Sequence, residues 1–127
     1  MKQEILISFE NAKKAEPIIR KFIFENSNFV KYQEMNPIII GPLTIIRKKK
    51  RTSTEKMELT DELRQKIDKE GLFFDYPNSQ LFKNIEDPVF YNNDEIIGKI
   101  ITHEPIIYLY LTPSEKIEFE KQGAKFD

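Results

Sequence analysis

Apolar residues recur at two different spacings near the start of the chain, and the change of spacing marks where a strand gives way to a helix. Ile5, Ile7 and Phe9 alternate with Leu6 and Ser8, which is the pattern of a half-buried strand. The next apolar positions are three or four residues apart: Ala15, Ile18, Ile19, Phe22 and Ile23. They predict a helix over residues 16–25, with Pro17 in its first turn, and they leave residues 11–15 open.

The middle of the chain has the pattern of extended segments separated by turn residues. Strands are predicted over residues 29–35, 38–40, 43–50 and 54–59. The dipeptides Asn36-Pro37 and Gly41-Pro42 mark turns or sheet edges. Thr52 and Ser53 are predicted to form the tip of a hairpin whose return strand is the segment 54–59. Residues 72–94 are rich in aromatic and turn-forming residues and are predicted to be irregular.

Two further helices are predicted from their end signals. Thr60 is the predicted cap of the first, with acidic residues in the next turn and Gly71 at its stop. The second follows a predicted hairpin of strands 96–102 and 106–111. It begins with the capping box from Thr112 to Glu115 and ends before Gly123. These elements predict an α+β fold in one domain, residues 1–127, with a mainly antiparallel sheet and about three helices packed chiefly on one face.

An offset of 52 residues relates the two capped helices. It places Leu59 on Leu111, Thr60 on Thr112 and Gly71 on Gly123. Two ββα-like repeats would produce this recurrence of residues. Unrelated helices would also produce it, because Thr is common at helix caps and Gly at helix stops. The sequence leaves both explanations open.

Composition and charge narrow the class of protein. No apolar run approaches the roughly 20 residues of a membrane-spanning helix, so no membrane partner is expected. The chain has 0 Cys, which excludes disulfides and thiolate metal sites and favours a cytoplasmic location. Residues 1–51 hold 11 Lys and Arg against 5 Asp and Glu, a net charge of +6, whereas residues 52–127 hold 9 against 16, a net of −7. Such a split steers and orients partners.

A run of five basic residues is the most conspicuous motif: Arg47, Lys48, Lys49, Lys50 and Arg51. Successive side chains of a strand point to opposite faces, so the run cannot lie over a core and must belong to an edge or a protruding hairpin. The simpler interpretation is an edge strand that lysines protect from aggregation. The alternative is contact with a polyanion, most naturally nucleic acid.

Catalytic and metal chemistry find little support. His103 is the single histidine, and its neighbour Glu104 would point away from it in an extended strand. Five carboxylates lie in or beside the irregular segment without the spacing of a calcium loop: Asp75, Glu86, Asp87, Asp94 and Glu95. The glycines are isolated and form no phosphate-binding loop. The sequence therefore predicts no catalytic residue, no metal and no cofactor, and it favours a protein that is not an enzyme.

Aromatic residues provide the best candidates for a binding surface. Tyr108 and Tyr110 share one side of a strand whose other side is aliphatic, and three more rings follow the second capped helix: Phe73, Phe74 and Tyr76. Exposed aromatic residues beside polar ones are typical of protein interfaces. The sequence therefore favours binding of another macromolecule, most naturally a protein, as in inhibitors, immunity proteins or adaptors. Nucleic-acid contact through residues 47–51 is the alternative, and a homodimer formed by an exposed strand stays open.

Overall fold

The fold is known from a computed structural model, which describes residues 1–40, 45–70, 85–101, 104 and 106–126. Side chains are described for these residues apart from 34–40, 45–52, 68–70 and 85–86. The elements in chain order are β1 (Gln3–Ser8), α1 (Phe9–Lys14), α2 (Glu16–Asn26), β2 (Phe29–Ile40), β3 (Ile45–Ser53), β4 (Met57–Glu58), α3 (Asp61–Glu70), β5 (Ile85–Asn92), β6 (Glu95–Ile101), β7 (Ile106–Leu111) and α4 (Pro113–Lys121).

The strands form one antiparallel sheet in the order β1-β7-β6-β5-β2-β3. The two-residue strand β4 pairs with the start of β2, on the same side as β3. The predicted α+β class and the antiparallel sheet are confirmed. Four helices are described where about three were predicted, because residues 9–14 form the short helix α1 ahead of α2.

One face of the sheet meets the helices. Cross-strand partners form a buried row through five strands: Ile5, Leu109, Gly98, Phe90 and Val30. All four helices supply residues to the same core cluster: Ala12 from α1, Ile19 and Ile23 from α2, Ile67 from α3 and Phe119 from α4. The predicted packing of the helices on one face is therefore confirmed.

Gly98 in β6 pairs with Leu109 of β7 and lies beneath Ile23 of α2. A Cβ atom at this position would lie 3.1 Å from Leu109 Cδ2, 3.2 Å from the Tyr108 carbonyl oxygen and 3.5 Å from Ile23 Cδ1. Contacts shorter than about 3.5 Å between carbon atoms are already repulsive. A side chain at position 98 would therefore crowd the neighbouring strand β7, whereas Ile23 of α2 would be at an ordinary van der Waals distance.

The predicted helix ends are present in the structure. Thr112 Oγ1 accepts a hydrogen bond from Glu115 N at 3.2 Å, and Glu115 Oε1 accepts one from Thr112 N at 2.9 Å, which completes the capping box. Thr60 Oγ1 accepts from Leu63 N at 3.2 Å at the start of α3. Gly123 has a φ of +99°, the left-handed conformation that favours glycine after a helix.

The first hairpin differs from the prediction. Ile40 pairs with Ile45, so β2 and β3 are joined through residues 41–44, whereas Thr52 and Ser53 lie within β3 and do not form a tip. The dipeptide Asn36-Pro37 is likewise no turn, because it lies inside β2. Beyond Glu34, β3 is the only strand partner of β2 among the described residues. A proline is tolerated in a strand that has a free side.

Residues 85–92 form β5, although the sequence predicted an irregular segment there. The turn signals have a local explanation. The pairing of β5 with β2 shifts register between Lys31 and Gln33, and Asp87 in this stretch has a φ of 50° just before Pro88. Asp and Pro are suited to such a bulge as well as to a loop. The turn residues therefore mark an interruption within a strand.

The 52-residue echo has no counterpart in the strand pairing that the structure describes. Before α4, the strands β6 and β7 pair with each other. Before α3, the strands β3 and β4 both pair with β2. Thr60 and Thr112 both act as helix caps, which accounts for their recurrence through local chemistry.

Candidate functional site

The face of the sheet away from the helices carries a second row of cross-strand partners. It runs through β1, β7, β6, β5 and β2 as Leu6, Tyr108, Lys99, Val89 and Lys31. Leu6 is 40% exposed, and it is one of few large apolar side chains so exposed among the described residues. None of the five belongs to the core cluster that the helices cover. We call this surface, together with Glu4 and Tyr110, the open face.

Two tyrosines of β7 lie on the open face, next to the edge strand β1. Strand β7 alternates strictly, with Ile107, Leu109 and Leu111 buried and with Tyr108 and Tyr110 half-buried on the other side. The Lys99 Nζ atom lies 5.0 Å from the centre of the Tyr108 ring and 6.0 Å from that of Tyr110. A lysine ammonium within about 6 Å of a ring centre is attracted to the face of the ring. Lys99 therefore attracts both rings and restrains them weakly.

Tyr110 is further restrained by Glu4 on the neighbouring strand. The two residues are direct cross-strand partners, and Tyr110 Oη donates a hydrogen bond to Glu4 Oε2 at 2.5 Å. Burial of the phenol raises the pKa of Tyr110 above its ordinary value, and the hydrogen bond and the charge of Glu4 add to this effect. The tyrosine is therefore neutral and donates its proton over the physiological pH range.

The raised pKa of Tyr110 predicts a loss of stability in alkali. An unfolded tyrosine has a pKa of about 10, so the stabilisation is complete below that pH and is lost as the pH rises through the folded-state pKa. We expect Tyr110→Phe to weaken the fall in the free energy of unfolding above about pH 10. Urea unfolding followed by circular dichroism at several alkaline pH values measures this. Tyr108→Phe is the matched control, and equal behaviour of the two variants would contradict the role of Tyr110.

The three other aromatic residues predicted for the binding surface lie outside the described residues: Phe73, Phe74 and Tyr76. Leu6, Val89 and Lys99 belong to the same face as the tyrosines, and the sequence did not indicate them as site residues. The sequence predicted strands at β1, β6 and β7 but not at β5, and the register that aligns the four strands was not visible in it. Register depends on the whole sheet.

The predicted basic run lies on β3, which ends the sheet opposite β1 among the strands that the structure describes. Lys48, Lys49, Lys50 and Arg51 pair in the backbone register with Ile38, Pro37, Asn36 and Met35. The register shifts between Ile38 and Ile39, which leaves Arg47 without a direct partner. We call residues 35–40 of β2 and strand β3 the basic arm. Its position fits both interpretations of the basic run, the edge guard and the polyanion contact.

A shallow groove of about 300 Å³ separates α2 from α4. Its apolar floor includes Phe22 and Phe119, whose ring centres are 5.1 Å apart in an edge-to-face arrangement. Glu25, Glu115 and Glu118 lie around it. Glu115 is already engaged in the capping box and Glu118 accepts a hydrogen bond from Gln122. The groove thus has no free cluster of groups suited to acid–base chemistry.

Among the described residues, the candidate catalytic and metal-binding side chains are not grouped at one site. His103 and Asp75 lie outside the described residues. Asp94 forms an ion pair of 2.8 Å with Lys56, and the hydrogen bond and charge of that lysine lower the pKa of the Asp94 carboxyl. In the part of the chain that is described, no three His, Cys, Asp or Glu side chains are grouped to hold a metal ion.

None of the helices in the described part of the chain has both the length and the apolar composition needed to cross a bilayer. Comparison of the chain with protein-family models, curated proteins and solved structures found no match.

Proposed function

We propose that this protein is a non-enzymatic, cytoplasmic binding protein that uses the open face to hold another protein. The observation that carries the proposal is the position of Tyr108 and Tyr110. Both rings lie on the face that no described helix packs against, next to Leu6, which is 40% exposed. A sheet face that faced only water would ordinarily present polar residues at such positions.

The composition of the open face supports a protein partner. Tyrosine is enriched in the energetically dominant parts of interfaces, because it buries a large area at a small cost in side-chain entropy. The apolar side chains of the open face are those of Leu6, Tyr108 and Val89, and Lys99 lies between Tyr108 and Val89 in the row. Lys31 follows Val89, and Glu4 is the cross-strand partner of Tyr110. Protein interfaces ordinarily combine apolar and aromatic contact area with charged and polar groups.

The order of the open face supports binding without large rearrangement. Lys99 lies over both rings, and Tyr110 is hydrogen-bonded to Glu4. A surface that is ordered before binding loses less entropy when the partner docks. Inhibitor, immunity and adaptor proteins are the classes that use such a surface without any catalytic group.

The test uses two exposed aliphatic residues on opposite sides of the protein. Leu6 lies on the open face and Ile117, which is 55% exposed, lies on α4. A photoreactive amino acid is placed at either position in the cells that make the protein. We expect position 6 to give one cross-linked protein that position 117 does not give. The partner is then purified, and its affinity is measured by titration calorimetry.

Substitutions then separate binding from folding. We expect Tyr108→Ala with Tyr110→Ala to weaken the affinity by about 30-fold or more, because truncation of a dominant interface residue costs about 2 kcal/mol or more. Leu6→Glu should also weaken it, whereas Ile117→Glu, the matched control, should leave it unchanged. A partner that binds the tyrosine variant as tightly as the natural protein, with both proteins folded by circular dichroism, would refute the proposal.

A further inference from the structure

The groove between α2 and α4 lies on the helical side of the sheet, opposite the open face. Its volume of about 300 Å³ is at the small end of the range for ligand-binding clefts. Each helix lines it with residues three or four positions apart, which share one face of a helix. They are Ile18, Lys21, Phe22 and Glu25 from α2, and Glu115, Glu118, Phe119 and Gln122 from α4. One stripe of each helix therefore faces the groove.

The floor of the groove is apolar and partly accessible. Ile18 and Phe22 of α2 pack against the core but stay half-buried. The Phe22 ring lies edge-to-face on the buried Phe119 of α4, with ring centres 5.1 Å apart. Ile19 and Ile23, by contrast, are 0% exposed in the core. Helix α2 thus buries one side completely and leaves a second apolar stripe facing the groove.

The lining of the groove is acidic. The described residues around it include three carboxyl side chains and one ammonium: Glu25, Glu115, Glu118 and Lys21. Glu115 accepts a hydrogen bond from the Thr112 backbone amide, and Glu118 accepts one from the Gln122 side-chain amide. Both donors are neutral, so neither compensates the negative charge of its glutamate. A ligand in the groove therefore meets more negative than positive charge from these residues.

Glu25 stands where an acidic residue is unfavourable. It lies in the last turn of α2, and that turn contains no basic residue. The C-terminal end of a helix carries a partial negative charge, which repels anions and attracts cations. Among the described residues Glu25 forms no ion pair, although Lys21 lies one turn earlier. A positive group from outside the chain would relieve this arrangement.

We propose that the groove binds an amphipathic helix of another protein, with apolar side chains on the floor and lysine or arginine side chains at Glu25 and Glu118. Helices that dock in apolar grooves present anchors three and four residues apart, which is the spacing of the two stripes that would receive them. This surface lies opposite the open face and does not depend on it. The protein would then hold two partners at once, as an adaptor does.

Charge argues against the other occupants. A nucleic acid or an acidic peptide would bring negative charge to a lining that is itself acidic. A second copy of the chain, docked groove to groove across a two-fold axis, would place the same glutamates against each other. A basic amphipathic helix matches both the apolar floor and the acidic lining.

A displayed library of random segments of about 16 residues, roughly four helical turns, tests the proposal against the full chain. The selected peptides are synthesised, and their affinity is measured by fluorescence anisotropy. We expect them to carry apolar residues at helical spacing flanked by lysine or arginine, and to become helical on binding by circular dichroism. Their affinity should fall as the salt concentration rises, because ions screen exposed charge pairs.

Variants of the protein then locate the binding site. Glu25→Lys with Glu118→Lys should weaken the affinity about tenfold or more, because an exposed ion pair contributes up to about a factor of five and reversal replaces attraction by repulsion. Ile18→Ala should weaken it about fivefold or more through lost apolar contact. The matched control, Glu55→Lys with Glu120→Lys, reverses two exposed glutamates outside the groove and should change the affinity less than about threefold.

Each other result overturns the proposal. It fails if no peptide is selected, if the selected peptides are acidic or uncharged, or if the groove and control variants bind them equally. Peptides that are lost in Tyr108→Ala with Tyr110→Ala, and kept in Glu25→Lys with Glu118→Lys, would belong to the open face. That result would support the proposed function while refuting the groove. A dimer by light scattering that the groove variant dissociates would show that a second copy occupies it.

Discussion

Phe90→Ala is expected to lower the free energy of unfolding by about 3–5 kcal/mol, the usual cost of removing a large buried aromatic side chain. Phe90 is 0% exposed, belongs to the buried row and packs edge-to-face on Phe24 with ring centres 6.0 Å apart. The loss combines the transfer of the ring out of the apolar interior with the cavity it leaves. Guanidinium unfolding followed by circular dichroism measures it, since the chain has 0 Trp to serve as a fluorescent probe.

The control for this prediction is Ile117→Ala, which truncates a side chain that is 55% exposed. Exposed substitutions usually change stability by about 0.5 kcal/mol or less. If the two variants unfolded at similar guanidinium concentrations, the row through β5 would not be the centre of the core.

Leu109→Ala is expected to cost about 2–5 kcal/mol, whereas Tyr108→Ala should cost about 1 kcal/mol or less. The two residues are neighbours in β7, but Leu109 is 0% exposed under the helices and Tyr108 is half-buried on the open face. The same unfolding experiment compares them within one strand, so differences in backbone context are small.

This pair of variants also bears on function. A tyrosine that serves a partner is retained for binding and contributes little to folding. If Tyr108→Ala were as destabilising as Leu109→Ala, the open face would be a second core surface, and the proposed binding function would lose its main support.

The sequence predicted the ends of the protein better than its middle. The helix of residues 16–25, the hairpin of β6 and β7 and the capping box at Thr112 all depend on neighbours within a few positions. Spacing and end signals are therefore sufficient to identify them. The prediction of a hairpin tip at Thr52 and Ser53 was wrong because small polar residues occur both in turns and in strands. Only the pairing of these residues with β2 shows that they belong to a strand.

The candidate site was predictable in part for the same reason. Alternation in β7 was enough to separate Tyr108 and Tyr110 from the aliphatic side of the strand. Leu6 is 89 or more positions away in sequence from every residue of β6 and β7. Its place beside Tyr108 follows only from the pairing of β1 with β7. Long-range register of this kind is set by burial over the whole sheet and leaves no local signal.

The empty position at Gly98 restricts how this domain can be redesigned. Its hydrogen atom stands where Leu109 from the sheet and Ile23 from α2 converge. Interiors accept new side chains best when the total volume is conserved. A larger residue at 98 would therefore need a smaller residue at 109 and a small shift of the Tyr108 backbone, whose carbonyl oxygen lies 3.2 Å from the added Cβ atom. Positions 98 and 109 should be varied as one unit.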